Sequence, residues 1–262
     1  MNLKQGMAGR LLAASASVKA RLVFESVFIF SVVLYLSAAY VSSLDDARVL
    51  DQRRVAIDTA RSAVARMQLN IDHALSATSA LAALVRQGNG KVPDFNAVAQ
   101  EMLRLYPGVG SIQLAPAGVV QEIVPLEGNQ KAIGHNLLAD PQRNKEAFLA
   151  RDTGKLTLAG PFNLVQGGLG AAGRLPVFLR EGPDRSTFWG FTIVLIRFPA
   201  ILDQAGFVDL DRQGYRWALW RVQPDTGQRQ VIAASDPQAL PTPAELSMAV
   251  PNGSWTFSVA PT

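Results

Sequence analysis

The sequence predicts an α+β chain with an N-terminal membrane-crossing helix, a long amphipathic stalk helix and two successive units of antiparallel sheet. Three observations predict it. An apolar run fills residues 22–44, neither glycine nor proline occurs from Asp45 to Gln87, and beyond Gln87 short apolar runs are cut by glycines and prolines. Continuous apolar length reads as a membrane span, unbroken amphipathic length as a helix, and punctuated runs as strands joined by turns.

The composition narrows the function classes. With 48% hydrophobic and 18% charged residues the chain is a folded protein, and with no cysteine it has neither disulfides nor thiolate metal sites. The sequence pI near 9.6 would suit a nucleic-acid binder, but the charge is in the wrong place. Lys4, Arg10, Lys19 and Arg21 face only Glu25 in residues 1–44, a net of +3, while the remainder holds 21 basic and 20 acidic residues. A nucleic-acid module concentrates basic charge on its folded part, so no nucleic-acid partner is expected.

The apolar segment comes first. Val27–Val41 with Leu22–Phe24 before it and Leu44 after it makes about 20 residues, enough for the hydrocarbon core. The basic residues before it and Asp45-Asp46 after it place residues 1–21 in the cytoplasm and residues 45–262 outside, at the inner or cell membrane. The alternative is a cleaved signal peptide, for which Ser37-Ala38-Ala39 offers a site; both readings export the remainder.

The stalk follows over 45–87. Ile57, Ala60, Val64, Met67, Ile71, Ala74, Thr78, Leu81 and Val85 recur at heptad spacing. That stripe fits a parallel homodimer seam, and it fits equally packing on the chain's own sheets, because Leu69, Leu75 and Leu84 widen it. Gln87-Gly88-Asn89-Gly90 stops the helix, and Asp94 caps a second one to about Leu105. Residues 111–115 and 119–124 read as a hairpin, and Asp140-Pro141 starts a helix ending near Gly154. Strands are expected near 155–158, 163–165, 174–179 and 187–198, the last apolar enough to be central, with a short helix from Pro199 to Gly206. Residues 215–222, 230–234, 246–250 and 254–259 form the second sheet, with Asn252-Gly253 as a hairpin turn and Trp217, Trp220 and Trp255 as its core. The domain boundaries expected are 88–206 and 207–262. An exported sensor would need an output, so the sequence is expected to be a fragment.

The ordered pieces Tyr106-Pro107-Gly108, Pro125-Leu126-Glu127-Gly128-Asn129, Ile133-Gly134, Ala150-Arg151-Asp152-Thr153-Gly154, Gly160-Pro161-Phe162, Val165-Gln166-Gly167, Leu175-Pro176-Val177-Phe178 and Phe188-Trp189-Gly190-Phe191 carry a resemblance. Over Tyr106–Phe207 the chain resembles the CHASE sensory domain of histidine-kinase and cyclase receptors. The resemblance implies two PAS-like subdomains in tandem, a membrane-distal one binding a small ligand and a proximal one passing the signal on. It implies a sensor region of a transmembrane receptor, whose output is a histidine kinase or a cyclic-di-GMP enzyme. The alternative is an exported or anchored binding protein without an output domain.

The plant members of that family bind cytokinin, so a purine- or cytokinin-like ligand is one expectation. By position the ligand-reading carboxylate falls at Asn136, the backbone contact at Leu158 and a deeper polar group at Gln166, with Leu126, Phe162, Phe178 and Gly190 as wall. Asn136 departs from the usual Asp, adding donors to an acceptor-only position. No catalytic residue, cofactor or metal is expected. His135 has only His73 as a fellow histidine, on the stalk; Gln166-Gly167-Gly168 lacks the Gly-Lys-Ser/Thr of a phosphate loop; Asp209 and Asp211 read as a solvated turn.

Overall fold

The computed structural model describes residues 3–262 other than 142–143, 165–166, 183, 199 and 224–225, with side chains further omitted for 3–27, 29 and 45–47. Residues 1–53 form one compact unit and residues 54–262 another. Helix α1, Leu3–Gln87, runs unbroken because it contains no proline, its glycines lying at its beginning. Gly88 to Gly90 then turn the chain, as the glycine pair predicts.

In the first unit α1 covers the expected span, and Phe28, Phe30, Leu34, Tyr35, Leu36 and Tyr40 are all exposed. Among the described residues, however, no helix is long and apolar enough to cross a membrane.

The second unit begins with the stalk part of α1. After α2 (Phe95–Leu105) the chain makes β1 (Val109–Pro116), β2 (Glu122–Val124), a 3-10 turn at Gln130–Ala132 and α3 (Lys145–Thr153). Strands β3 (Thr157–Asn163), β4 (Leu169–Arg180) and β5 (Ser186–Phe198) complete a five-stranded antiparallel sheet of order β2-β1-β5-β4-β3. The apolar strand β5 is central, as its composition predicts. Two details differ from expectation. Helix α3 starts at Lys145 rather than at Pro141, with Asn144 before it, and Thr157–Asn163 is one strand with an irregularity between Ala159 and Phe162, while the end of the strand expected at 163–165 lies outside the described residues.

Short helices α4 (Ala200–Ala205) and α5 (Phe207–Arg212) lead to β6 (Tyr215–Val222), β7 (Arg229–Ala234), β8 (Ala244–Val250) and β9 (Gly253–Pro261), ordered β7-β6-β9-β8. Val250 pairs with Gly253 across the predicted hairpin.

One hydrophobic cluster joins the stalk to both sheets. Met67, Ile71, Ala74, Leu81 and Val85 are fully buried with Ile112, Val194 and Ile196 of the first sheet and Trp217, Phe257 and Val259 of the second. The heptad stripe therefore packs on the chain's own sheets, and its side chains are not available as a dimer seam. Trp217 stacks with Phe257, while Phe198 meets Trp255. Trp220 departs from the expected core role: it lies on the outer face, where its indole N–H donates to Ser258 Oγ at 2.8 Å. Polar links hold the stalk's register. Thr192 Oγ1 donates to the Thr78 carbonyl at 3.0 Å, and Arg66 Nε donates to the Ala205 carbonyl at 3.0 Å.

Close approach explains Gly173. A Cβ there would lie 2.2 Å from Leu75 Cδ2. Gly173→Val is expected to cost about 1–3 kcal/mol by overpacking, and Ile71→Ala about 2–5 kcal/mol by opening a cavity, both read by denaturant unfolding. Asp209 and Asp211 lie exposed on α5, and Asp209 pairs with Arg212 at 3.2 Å. Partial burial lifts the Asp211 carboxyl above its usual range, against the opposing pull of the Trp217 indole and the Ser235 hydroxyl. A carboxyl raised on folding stabilises the fold while protonated and loses that contribution as pH rises past the unfolded value. Asp211→Asn should raise the melting temperature slightly near pH 7 and leave it unchanged near pH 3, about where both side chains are neutral.

Candidate functional site

The first sheet has two unlike faces. Toward the stalk it presents Ile112, Leu114, Ala171, Val194 and Ile196. The opposite face presents Ala115, Ala172, Phe191, Ile193 and Leu195, covered by Val120 and Leu137 of the 119–138 segment and by Ala147 and Ala150 of α3. Strand alternation produces this division, since neighbouring residues point to opposite sides.

The covered outer face is partly polar. Gln113 pairs with Ile193, Ile193 with Arg174, and Arg174 with Thr157, so one cross-strand row runs through four strands. Arg174 is 1% exposed, Thr157 2% and Gln113 5%. Gln113 Nε2 donates to Ser111 Oγ at 3.1 Å, and Thr157 Oγ1 donates to the Glu146 carbonyl of α3 at 3.1 Å. A guanidinium stays charged at any physiological pH, so its burial demands acceptors around it. The covering segment is fastened by Asn129, 2% exposed, whose Nδ2 donates to the Pro125 carbonyl at 2.8 Å. Asn129 Oδ1 accepts from Arg197 Nη2 at 3.0 Å, while Arg197 Nη1 donates to the Gly167 carbonyl at 3.2 Å.

Strand β3 is an edge strand, and its free side is met by the second sheet. The Leu158 N–H donates to Asn252 Oδ1 at 2.8 Å, Arg221 Nη1 donates to the Gly160 carbonyl, and Gln230 Nε2 donates to the Pro161 carbonyl at 3.3 Å. Arg221 Nε donates to Gln230 Oε1 at 2.9 Å, so the two side chains act as one clamp.

The residues expected at the site separate into groups. Phe162 and Phe188 pack on the outer-face cluster, and Phe178 meets Phe188 edge-on at 5.6 Å between centroids, with Phe191 next at 5.1 Å. Leu158 is buried on the stalk side, its N–H already taken by Asn252. Asn136 is exposed, and its Oδ1 accepts the N–H groups of Leu138 at 3.0 Å and Ala139 at 3.2 Å, closing a local turn. Leu126 is 53% exposed. Gly190 is a close approach, since a Cβ there would lie 2.2 Å from the Ala115 carbonyl oxygen. Gln166 lies outside the described residues. His135 faces Asp140 at 3.5 Å, and among the described residues no group of His, Cys, Asp or Glu could hold a metal ion. Sequence reasoning missed Arg174 and Gln113, although a lone arginine within Ala171-Ala172-Gly173-Arg174-Leu175-Pro176 is a signal in its own right.

The profile of the CHASE domain family matches residues 56–228, a span that includes most of the stalk, the first sheet and the start of the second. The chain belongs to the CHASE family. No curated protein sequence matches it. This CHASE chain is similar in fold to an extracellular ligand binding receptor from Desulfohalobium retbaense, with a TM-score of 0.62 at 11% identity over 76% of the chain. It spans 39% of that receptor's length. It is also similar to the extracellular domain of rpHK1S-Z16, described as a histidine kinase, with a TM-score of 0.53 at 13% identity, covering 82% of this chain and 95% of that one. These likenesses establish the α+β architecture of two antiparallel sheets.

Asn252→Ala is expected to speed amide exchange at Leu158 and to cost about 1 kcal/mol. Arg221→Met should have a larger effect, because it also leaves Gln230 without its guanidinium partner.

Proposed function

We propose that this chain is the extracytoplasmic, small-molecule-sensing region of a transmembrane receptor. The observation that carries the reading is the buried polar row Gln113-Arg174-Thr157 on a sheet face lidded by α3 and the 119–138 segment. A cation there favours a ligand with an anionic or strong acceptor group at Arg174 and an apolar body toward Phe162 and Phe188. Small organic acids fit this chemistry, and a purine offers ring-nitrogen acceptors to the same guanidinium. Asn136 is assigned no part in this reading, since it is exposed and its Oδ1 holds a turn of the covering segment.

The membrane anchor is proposed over 22–44. An apolar helix exposing Phe28, Leu34, Tyr35 and Tyr40 on all sides suits a lipid surrounding, and the basic residues before it suit a cytoplasmic N-terminus. The homodimer is proposed to use the stalk's outer side, with exposed Ser62, Leu69, Ser76 and Ala83, because the heptad stripe is in the core. Ligand closure of the first sheet would shift β3, and the Arg221–Gln230 clamp would pass that shift to the second sheet and on to a histidine kinase or cyclic-di-GMP output. A ligand moves that balance only by its unequal affinity for the two arrangements.

Thermal-shift screening of the chain against purines, cytokinins and small organic acids tests the reading. A ligand at about a hundred times its Kd adds about 2.7 kcal/mol, which is roughly 5–10 °C at this chain length. The shift should vanish in Arg174→Met and persist in Asn136→Ala. A shift that survives Arg174→Met, in a variant whose circular dichroism is unchanged, would move the site off this face.

A further inference from the structure

We infer that the second sheet carries a binding site of its own, for an amphipathic monocarboxylate. The site does not depend on the reading of the first sheet. After β7 the chain runs through Ser235-Asp236-Pro237-Gln238-Ala239-Leu240 and folds over the outer face of the sheet, leaving a cavity of about 510 Å³. That volume is in the range of small-molecule sites, and its walls follow their usual pattern of apolar lining with a few polar groups. The apolar wall is Ala218, Val231, Leu240 and Pro243.

The charged groups sit at opposite ends. Arg229 begins β7 and lays its guanidinium over the Trp220 ring at 4.3 Å. Stacking holds the guanidinium plane and leaves its edge donors for a carboxylate, the geometry that favours two parallel hydrogen bonds. Asp236 lies beyond the other end of the strand, two residues past Ala234. Its carboxylate is already engaged, with Arg216 Nη1 at 3.6 Å and the Gln238 N–H at 2.7 Å. Asp236 is taken up by Arg216 and the Gln238 N–H, so that end offers no free charge to a second polar group on the ligand. The cavity therefore selects one negative charge, at Arg229, followed by an apolar body.

The cavity shares a strand with the clamp. Arg229 and Val231 line it, while Gln230 between them points the other way and donates to the Pro161 carbonyl of β3. Filling the cavity holds β7, and with it the edge strand of the first sheet.

The test is a titration of the 262-residue chain in lipid nanodiscs with 4-phenylbutyrate, followed by tryptophan fluorescence and calorimetry, with empty nanodiscs as reference. Saturable binding is expected, about tenfold weaker for both 4-phenylbutyramide and adipate. Arg229→Gln and Val231→Asp, both at exposed positions, should each weaken it by about tenfold or more with unchanged circular dichroism. Amide exchange in β3 should slow on binding, and not in Gln230→Ala. Equal binding of acid and amide, affinity retained in both cavity variants, or no saturation at millimolar probe overturns the site. A loss caused by Arg174→Met and not by Arg229→Gln would also overturn it, by placing the probe on the first sheet. Unchanged β3 exchange on saturation overturns the link between the cavity and that strand.

Discussion

The structure of residues 54–262 depends on the burial of one helical stripe. Two half-exposed antiparallel sheets of five and four strands would each leave an apolar face in water. The stalk residues from Met67 to Val85 cover the first, and Trp217, Phe257 and Val259 of the second join the same cluster. At about 25 cal/mol for each Å² of apolar surface removed from water, a face of this length dominates any single polar contact in the unit. Because Gly173 lets Leu75 sit against the strand, and Thr192 reaches the Thr78 carbonyl, the helix has one register on the sheet and not several.

Because the stripe packs on one face of the first sheet, the opposite face is covered by other elements. The two faces obey different chemistry although they belong to the same strands. The stalk side is dry and apolar; the outer side carries Gln113, Arg174 and Thr157 in a line and is closed by a helix and a loop rather than by a continuous wall. A lid of that kind, fastened through Asn129 to Arg197, can be held or released by few contacts, whereas the stalk packing cannot.

Much of this was legible in the sequence. Periodicity marked the stalk, the unbroken apolar run marked β5 as central, and Asn252-Gly253 marked the last hairpin, because each rests on a local rule of spacing or turn chemistry. The choice between self-packing and a dimer seam was not legible, since Ile71 and Leu81 satisfy both patterns. The site was harder. Leu158 and Phe162 are close in sequence, but the irregularity after Ala159 and the clamp send one to the stalk side and the other to the outer face. Asn136 closes its own turn through Oδ1, a contact that the sequence does not announce. Arg174 lies in a row of residues drawn from four strands, and no local pattern announces such a row.

The clamp also bears on how the edge of the first sheet is kept from pairing with other chains. An edge strand with bare backbone groups invites pairing with another molecule's strand. Strand β3 has its exposed edge occupied by the side chains of Asn252, Arg221 and Gln230, where a further strand would otherwise sit. The two sheets consequently touch without merging into one ladder. A seam made of side-chain contacts can part and close again in register, while the strand it protects is never offered to a neighbour for long.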